Sequence, residues 1–155
     1  METIILAAGC FWGVEETFRQ TIGVTNTQVG YIGGHTNNPS YEDVCSHTTG
    51  HAEAVKVEFD NTQISLAQIL DIFWNAHDPT QVGGQGPDIG DQYRSEIFYF
   101  TPEQKTIAEE SKATTQKRFS KPITTKITKF TNFYKAEEYH QQYFLKRQQH
   151  LLGNL

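Results

Sequence analysis

Cys10 lies within residues 9–13, whose sequence is GCFWG, and its thiol is the side chain of this chain best suited to nucleophilic chemistry. The apolar stretch of residues 4–8 before it predicts a short buried strand, and the helical spacing of apolar residues after it predicts a helix to residue 20. A thiol at such a junction lies beside unpaired backbone N–H groups and the positive end of a helix dipole. That setting stabilises a thiolate, so we expect the pKa of Cys10 to lie below that of a free cysteine.

The alternative for Cys10 is a buried cysteine that acts only as a small hydrophobic residue. Gly9 and Gly13 argue against this alternative, because glycines let the backbone or a ligand approach the sulfur closely. Phe11 and Trp12 could form the walls of an apolar pocket beside the thiol. These neighbours favour a reactive cysteine.

Glu53 is the second candidate for chemistry, because of its position in an alternating strand. The pattern of residues 55–59 predicts a strand in which Glu53 shares the apolar face of residues 55, 57 and 59. A carboxyl group on an apolar face is either paired with a cation or kept protonated by desolvation. A protonated carboxyl could act as a general acid near neutral pH. The alternative is a solvated, inactive carboxylate at the start of the strand.

The loop of residues 41–51 contains Cys45, His47 and His51, three residue types that bind metals. Their spacing fits no zinc pattern, and no fourth ligand is evident. We therefore expect no metal and no other cofactor, and we expect the two histidines to make hydrogen bonds within the loop.

A second long loop is rich in glycine between residues 83 and 94. It has neither the GxGxxG spacing nor the Gly-Lys-Ser/Thr ending of a phosphate-binding loop, so phosphate binding is weakly supported. We expect its glycines to permit tight turns that carry Asp88 and Tyr93 to a site. Ordinary positions in a surface loop are the alternative for both residues.

Length and composition restrict the classes of protein to consider. The chain has 155 residues, 37% of them hydrophobic, which predicts one catalytic domain over residues 1–155. The net charge of −5 argues against nucleic acid as a partner, and no apolar stretch is long enough to span a membrane. The N-terminus lacks the pattern of a signal peptide, and two cysteines are too few for a disulfide framework. We expect a cytoplasmic protein.

The remaining elements predict a ferredoxin-like fold. Helices are predicted after Ser65, which forms a capping box with Gln68, and over residues 101–118, where Thr101 to Gln104 repeat that device; a third is predicted over residues 136–147. Strands are predicted at residues 24–32, 55–59, 97–100 and, as an edge strand, 123–130. The order is βαββαβ followed by a helix, a strand and a helix. This order is typical of an α/β (α+β) protein, a ferredoxin-like split βαβ sandwich with C-terminal additions.

Several motifs occur in a characteristic order along nearly the whole chain. They are GCFWG at 9–13, YEDVC at 41–45, GHAE at 50–53, HDPTQ at 77–81, QGPD at 85–88, QYRS at 92–95, and AE and YHQQY at 136–137 and 139–143. Together they resemble the type A peptide methionine sulfoxide reductases. Several linked motifs are far more specific than one pentapeptide.

The resemblance implies a reductase for the S epimer of methionine sulfoxide, free or within proteins. It implies the following roles: Cys10 as nucleophile, Glu53 as acid, Tyr41 and Tyr93 as hydrogen-bond donors to the sulfoxide oxygen, Asp88 as a residue that orders the site, and Phe11 and Trp12 as the pocket for the S-methyl group. An acid and a thiolate are both needed, because the sulfoxide oxygen leaves poorly until it is protonated. The expected protein is a monomer that needs no cofactor.

The chain departs from this family at its C-terminus. Many relatives carry C-terminal cysteines that resolve the sulfenic acid through a disulfide, whereas residues 145–155 of this chain contain no cysteine. A sulfenic acid condenses with any accessible thiol, and Cys45 is the only internal candidate for a resolving residue. We therefore expect an external reductant, which could be thioredoxin, glutaredoxin or a small thiol. His35 and His47 also differ from the family's commoner choices.

Two other functions compete with this hypothesis. One is a different thiol-dependent redox enzyme or sensor, such as a peroxide-reducing protein, which needs no apolar slot for a methyl group. The other is a non-catalytic ferredoxin-like module that binds a ligand and needs no activated cysteine. Phe11, Trp12 and Glu53 argue against the first, and the rate of thiol alkylation as a function of pH would test the second.

Overall fold

The computed structural model describes residues 1–153, and within that range eight strands and five α-helices are formed. The strands are β1 (Glu2–Ala8), β2 (Val24–Ile32), β3 (Ala52–Phe59), β4 (Gly84–Gln85), β5 (Asp88–Ile89), β6 (Ser95–Tyr99), β7 (Lys126–Lys129) and β8 (Tyr134–Lys135). The helices are α1 (Phe11–Arg19), α2 (Tyr41–Cys45), α3 (Leu66–Asn75), α4 (Pro102–Gln116) and α5 (Tyr143–Gly153), with 3₁₀ turns at Asp91–Tyr93 and Glu138–His140. No helix of this range has the length and apolar character needed to cross a bilayer.

Six strands form one sheet in the order β7-β6-β1-β3-β2-β8, and β4 pairs with β5 in a separate hairpin. Each of the four central strands, in the order β6, β1, β3 and β2, is antiparallel to its neighbour. The segment β1-α1-β2 thus has β3 inserted between its two strands, which is the split βαβ arrangement. The ferredoxin-like fold class expected from the sequence is confirmed, with β7 and β8 added at the two edges.

The two faces of β3 have different environments, as its alternation predicts. Val55, Val57 and Phe59 belong to the larger hydrophobic core, which the sheet shares with α1 and α3. Ala52 and Ala54 belong to a smaller cluster that excludes both helices. Residue 53 therefore lies on the helix-covered face, since side chains alternate along a strand.

The helix starts follow the sequence signals, with one difference. Ser65 forms the expected reciprocal capping box with Gln68 at the start of α3. The Thr101 side chain caps α4, with Pro102 in its first turn, but Gln104 does not complete a second box. Its Oε1 accepts from the N–H of Phe100 at 2.7 Å, while its Nε2 donates to the N-terminal end of β1. The helix ends at residue 116, two residues before the expected end.

The helix expected over residues 136–147 is confirmed only from Tyr143, where α5 begins. Residues 136–142 instead run along β2 and α1 as an irregular strap that includes the 3₁₀ turn Glu138–His140. Long-range hydrogen bonds decide the conformation: the Gln141 amide pairs with both the N–H and the carbonyl of Val29, at 2.9 Å each. Gln142 has a positive φ of 50°, and its N–H donates to the buried carboxylate of Glu15 at 2.6 Å. These hydrogen bonds stabilise the irregular conformation more than the local sequence pattern stabilises a helix.

The alternating strand directions bring several chain segments together at one end of the central strands. β1 and β2 end there, while β3 and β6 begin there. The start of α1 follows β1, helix α2 lies between β2 and β3, and the β4-β5 hairpin precedes β6. The candidate site residues of these segments therefore lie at the same end of the sheet.

Candidate active site

Cys10 occupies the junction between β1 and α1, at the N-cap position of the helix. Its thiol is partly exposed and makes no disulfide. Gly9 before it has a φ of +100°, and a Cβ at that residue would lie 2.9 Å from Cγ of Gln85. Glycine is thus required for the turn that presents the sulfur.

The pKa of the Cys10 thiol is raised above its ordinary value, so the expectation of a depressed pKa is wrong for the free protein. Burial raises the pKa most, and the negative charges of Glu53 and Asp88 raise it further. The backbone N–H groups of Trp12 and Gly13 lower it, as the helix N-terminus predicts, but they do not compensate. The thiol is protonated at neutral pH unless a neighbouring group takes its proton.

Glu53 lies at the start of β3 with 1% of its surface exposed. Its Oε1 accepts from the N–H of Phe11 at 3.2 Å, and its Oε2 accepts from Nε2 of Gln92 at 3.0 Å. Burial raises the pKa of this carboxyl to about 7, although the hydrogen bonds from Gln92 and Phe11 lower it and the charge of Asp88 raises it. Glu53 therefore has the near-neutral carboxyl that its position in the alternating strand suggested.

Two tyrosines and one aspartate complete the polar part of the site. Burial raises the pKa of Tyr93 to about 12, and the charges of Glu53, Cys45, Asp88 and Cys10 add to that shift. Burial also raises the pKa of Tyr41, as does its hydrogen bond with the side chain of Cys45. Both hydroxyls therefore keep their protons near neutral pH and can donate hydrogen bonds. Asp88, in β5, acts on the thiol and on the carboxyl through its charge.

Cys45 is the second free cysteine and lies at the end of α2. Its Sγ accepts from Nε2 of Gln92 at 3.5 Å, on the same amide nitrogen that contacts Glu53. The sulfur is thus part of the hydrogen-bonded network around the candidate acid.

The apolar part of the site is built around Trp12 and residues of the C-terminal segment. The ring of Tyr143 stacks on the indole with centroids 3.8 Å apart and planes at 7°. The indole N–H donates to Nδ1 of His140 at 2.9 Å. Phe11 is buried, with its ring 5.1 Å from His140 and 5.8 Å from Tyr31.

Sequence reasoning assigned no role to four residues of this site: Gln92, Glu137, His140 and Tyr143. Glu137 accepts from the hydroxyl of Tyr31 and from the N–H of Tyr41, both at 2.9 Å, and so fixes the start of α2. Their presence in the recognised motifs QYRS, AE and YHQQY was the available signal.

His51, in the 41–51 loop, makes contacts at both nitrogen atoms of its ring. His51 accepts from the N–H of Gly34 at Nδ1 and contacts the carbonyl of Thr36 at Nε2, so its expected role in loop hydrogen bonding is confirmed. Among residues 1–153, no group of three His, Cys, Asp or Glu side chains is arranged to hold a metal ion.

The geometry joins a thiol, a carboxyl that titrates near neutral pH, two hydroxyl donors and an aromatic wall. Such a set can supply a sulfur nucleophile and a proton to the same bound molecule. The fold and the site therefore define a thiol-dependent enzyme of the ferredoxin-like class.

Comparisons with known proteins narrow this class. The family model described as peptide methionine sulfoxide reductase matches residues 2–153. Peptide methionine sulfoxide reductase MsrA of Methanosarcina acetivorans is 54% identical over 149 residues, which cover 95% of this chain and 79% of that protein. Reduced Mxr1 from Saccharomyces cerevisiae matches with a TM-score of 0.91 and 36% identity, covering 96% of this chain and 86% of that one. Mxr1 in complex with Trx2 matches with a TM-score of 0.66 and 27% identity, covering 92% and 84%.

The chain belongs to the peptide methionine sulfoxide reductase family. It is an oxidoreductase that reduces methionine sulfoxide, as the resemblance of its motifs indicated. The competing hypotheses of another thiol-dependent redox enzyme and of a non-catalytic binding module are not favoured.

Proposed function

We propose that Cys10 reduces the S epimer of methionine sulfoxide, free or within proteins, with Glu53 as the acid. The sulfur of Cys10 attacks the sulfoxide sulfur while Glu53 protonates the sulfoxide oxygen. This attack forms a bond between the two sulfur atoms. The bond between the substrate sulfur and oxygen then breaks, the oxygen forms a bond with the Cys10 sulfur, and the bond between the two sulfurs breaks with its electron pair going to the substrate sulfur, which leaves Cys10 as a sulfenic acid. The substrate sulfur gains two electrons and becomes methionine, and Cys10 loses two.

The observation that carries this proposal is the position of Glu53, buried and hydrogen-bonded to the residue after Cys10. Between pH 7 and the raised pKa of the thiol, Cys10 and Glu53 together hold one proton. Glu53 can take this proton from the thiol and pass it to the sulfoxide oxygen. The same proton ends as the O–H of the sulfenic acid, and the Glu53 carboxylate is restored.

The other site residues have supporting roles in this proposal. Tyr41 and Tyr93 donate hydrogen bonds to the sulfoxide oxygen, because their raised pKa values keep both hydroxyls protonated. Asp88 orders the site. Phe11 and Trp12 hold the S-methyl group, a role consistent with the rigid stacking of the indole.

Separated S and R epimers of methionine sulfoxide, with dithiothreitol as the electron donor, test the proposal. We expect turnover of the S epimer alone and its loss in Cys10→Ser, since a serine hydroxyl is neither ionised nor soft enough to attack sulfur. Glu53→Ala should lose about 10²–10⁴-fold, the usual contribution of general acid catalysis, and Glu53→Gln should lose less. Turnover of the S epimer by Cys10→Ser would remove this residue from the mechanism.

For recycling, we propose that an external thiol reduces the sulfenic acid of Cys10. Two thiols supply the two electrons, and the products are a disulfide, water and the Cys10 thiol. Thioredoxin, glutaredoxin and small thiols are all chemically competent. The complex of the related yeast Mxr1 with Trx2 supports a protein reductant of the thioredoxin kind.

We also propose that residues 1–155 act as a single catalytic domain and as a monomer in the cytoplasm. One sheet with six strands extends from Glu2 to Lys135, which supports a single unit, although residues 154 and 155 lie outside the described range. Two unpaired cysteines agree with a reducing compartment. Size-exclusion chromatography with light scattering would test the monomer.

A further inference from the structure

Gln92 is a buried glutamine between the β4-β5 hairpin and β6, with 2% of its surface exposed. Its amide nitrogen donates to Oε2 of Glu53 at 3.0 Å and to Sγ of Cys45 at 3.5 Å. Its amide oxygen is buried and has no hydrogen-bond partner among the described residues. The side chain thus has both donor contacts directed at the site and its acceptor left unpaired.

The side-chain amide of Gln92 could also be turned by 180°, which would exchange the positions of its oxygen and nitrogen. The orientation in the structure therefore needs a physical cause. With the amide reversed, the carbonyl oxygen of Gln92 would face both the Glu53 carboxylate and the Cys45 sulfur, which would be repulsive while Glu53 is charged. Sγ of Cys45 accepts from the same amide nitrogen at 3.5 Å, which makes Cys45 a second acceptor for this amide. Cys45 therefore helps to fix the direction in which the Gln92 amide points.

The direction of the amide matters once Glu53 carries a proton. A carbonyl oxygen facing Glu53 would accept that proton in a hydrogen bond and would compete with the sulfoxide oxygen for it. An N–H group facing Glu53 can contact only a lone pair of Oε2. In the observed orientation the proton stays available to the substrate.

We propose that Gln92 is a positioning residue of the reaction, whose amide N–H groups hold Glu53 so that its proton is directed to the sulfoxide oxygen. This inference rests on the proposed role of Glu53 as the acid. Cys45 has a part in it as the acceptor that orients the amide, separate from any part in recycling. An amide donor also favours the charged form of the carboxyl, so it sets the pH at which Glu53 titrates.

Gln92→Met tests the proposal, because methionine has a similar length and no N–H group. We expect kcat for the S epimer to fall roughly tenfold to a hundredfold with little change in KM, since a misplaced acid affects the reaction more than binding. We expect the low-pH limb of the kcat/KM profile to move up by about one pH unit, because Glu53 loses a donor to its charged form. A Gln92→Met profile and kcat equal to those of the unmodified protein would overturn the inference.

Gln104→Met is the matched control, because Gln104 is equally buried and makes several hydrogen bonds far from the site. It should lower the melting temperature and leave the pH profile unchanged. If Gln92→Met does not fold, Gln92→Glu keeps the shape and should move the limb in the same direction, since two adjacent carboxyls resist a second charge. An unmoved limb in Gln92→Glu would also overturn the inference.

Parallel measurements on Glu53→Gln separate this inference from the proposed function. If the limb near pH 7 persists in Glu53→Gln, the role of Glu53 fails, and the inference on Gln92 fails with it. If that limb is lost in Glu53→Gln and is unmoved in Gln92→Met, only the inference fails. In the double variant, Gln92→Met should cause no further shift of the profile, because its effect acts through Glu53.

Discussion

The backbone N–H of Phe11 donates a hydrogen bond to Oε1 of Glu53 at 3.2 Å and connects residues 42 positions apart. This bond joins the first turn of α1 to the start of β3, directly beside Cys10. The carboxyl and the thiol therefore influence each other electrostatically, and the charge of Glu53 is one cause of the raised pKa of Cys10. Removing the charge at residue 53 should change how the protein responds to pH, both in activity and in stability.

The first prediction concerns the pH dependence of activity. In the free enzyme, kcat/KM for the S-sulfoxide should rise with pH through about 7, because Cys10 and Glu53 react from the state in which they hold one proton. In Glu53→Gln this limb should disappear, and the rate should instead follow ionisation of the Cys10 thiol. Initial rates between pH 5.5 and 9.5 with dithiothreitol measure both profiles. Glu58→Gln, on the opposite face of β3, is the control and should keep the limb.

The second prediction concerns stability. The pKa of Glu53 is about 7 in the folded protein against an ordinary 4.5, so between these values the folded protein holds a proton that the unfolded chain releases. The free energy of unfolding should therefore fall as pH rises through this window. Above the window, the loss of stability caused by the buried charge of Glu53 reaches its full value. Glu53→Gln should be more stable than the unmodified protein at pH 8, by about 1–3 kcal/mol, and should show little gain at pH 4.5.

Urea unfolding at the two pH values measures this difference. Glu58→Gln again serves as the control and should show no comparable dependence on pH. An equal change in stability at both pH values would contradict the pKa assigned to Glu53.

The sequence predicted those parts of the site that depend on local geometry. The two-residue period of β3 placed Glu53 on the helix-covered face, and the change from an apolar strand to a helix placed Cys10 at the junction. The capping box of Ser65 likewise fixed the start of α3. In each case the deciding interactions lie within a few residues of each other along the chain.

The parts that were predicted wrongly depend on distant residues. The pKa of Cys10 is raised because burial and two carboxylates outweigh the helix N-terminus, and the carboxylates come from β3 and β5. The strap of residues 136–142 is not helical because Gln141 bonds to Val29 and Gln142 bonds to Glu15. Periodicity in one segment carries no information about such partners.

The third prediction concerns the aromatic wall. Nδ1 of His140 accepts the indole N–H of Trp12, so His140→Leu should leave the indole without its acceptor and less firmly oriented. The loss of one hydrogen bond of about 1 kcal/mol should raise KM for the sulfoxide roughly fivefold, with a smaller effect on kcat. Steady-state kinetics at pH 8 measure this split. Tyr143→Phe keeps the ring stacked on Trp12 and should behave like the unmodified protein; a change in kcat alone in His140→Leu would contradict a role in binding.

The fourth prediction concerns the product of one turnover without reductant. Cys45 is the only other thiol, and its sulfur accepts a hydrogen bond from the Gln92 amide. A disulfide with Cys10 would require the two Cα atoms to come within roughly 7 Å and would compete with this hydrogen bond. We expect Cys10 to remain a sulfenic acid that dimedone traps, with Cys45 as a free thiol. Mass spectrometry of the enzyme after one turnover measures both species.

The Cys45→Ser variant provides the kinetic counterpart of this experiment. Serine keeps an oxygen acceptor for the Gln92 amide and removes the second thiol, so turnover with dithiothreitol should be largely retained. Cys45→Val keeps the volume but removes the acceptor, and its kcat should fall if the sulfur orients Gln92. A stoichiometric disulfide between Cys10 and Cys45 after one turnover, with slow recycling in Cys45→Ser, would instead show that Cys45 is the resolving residue.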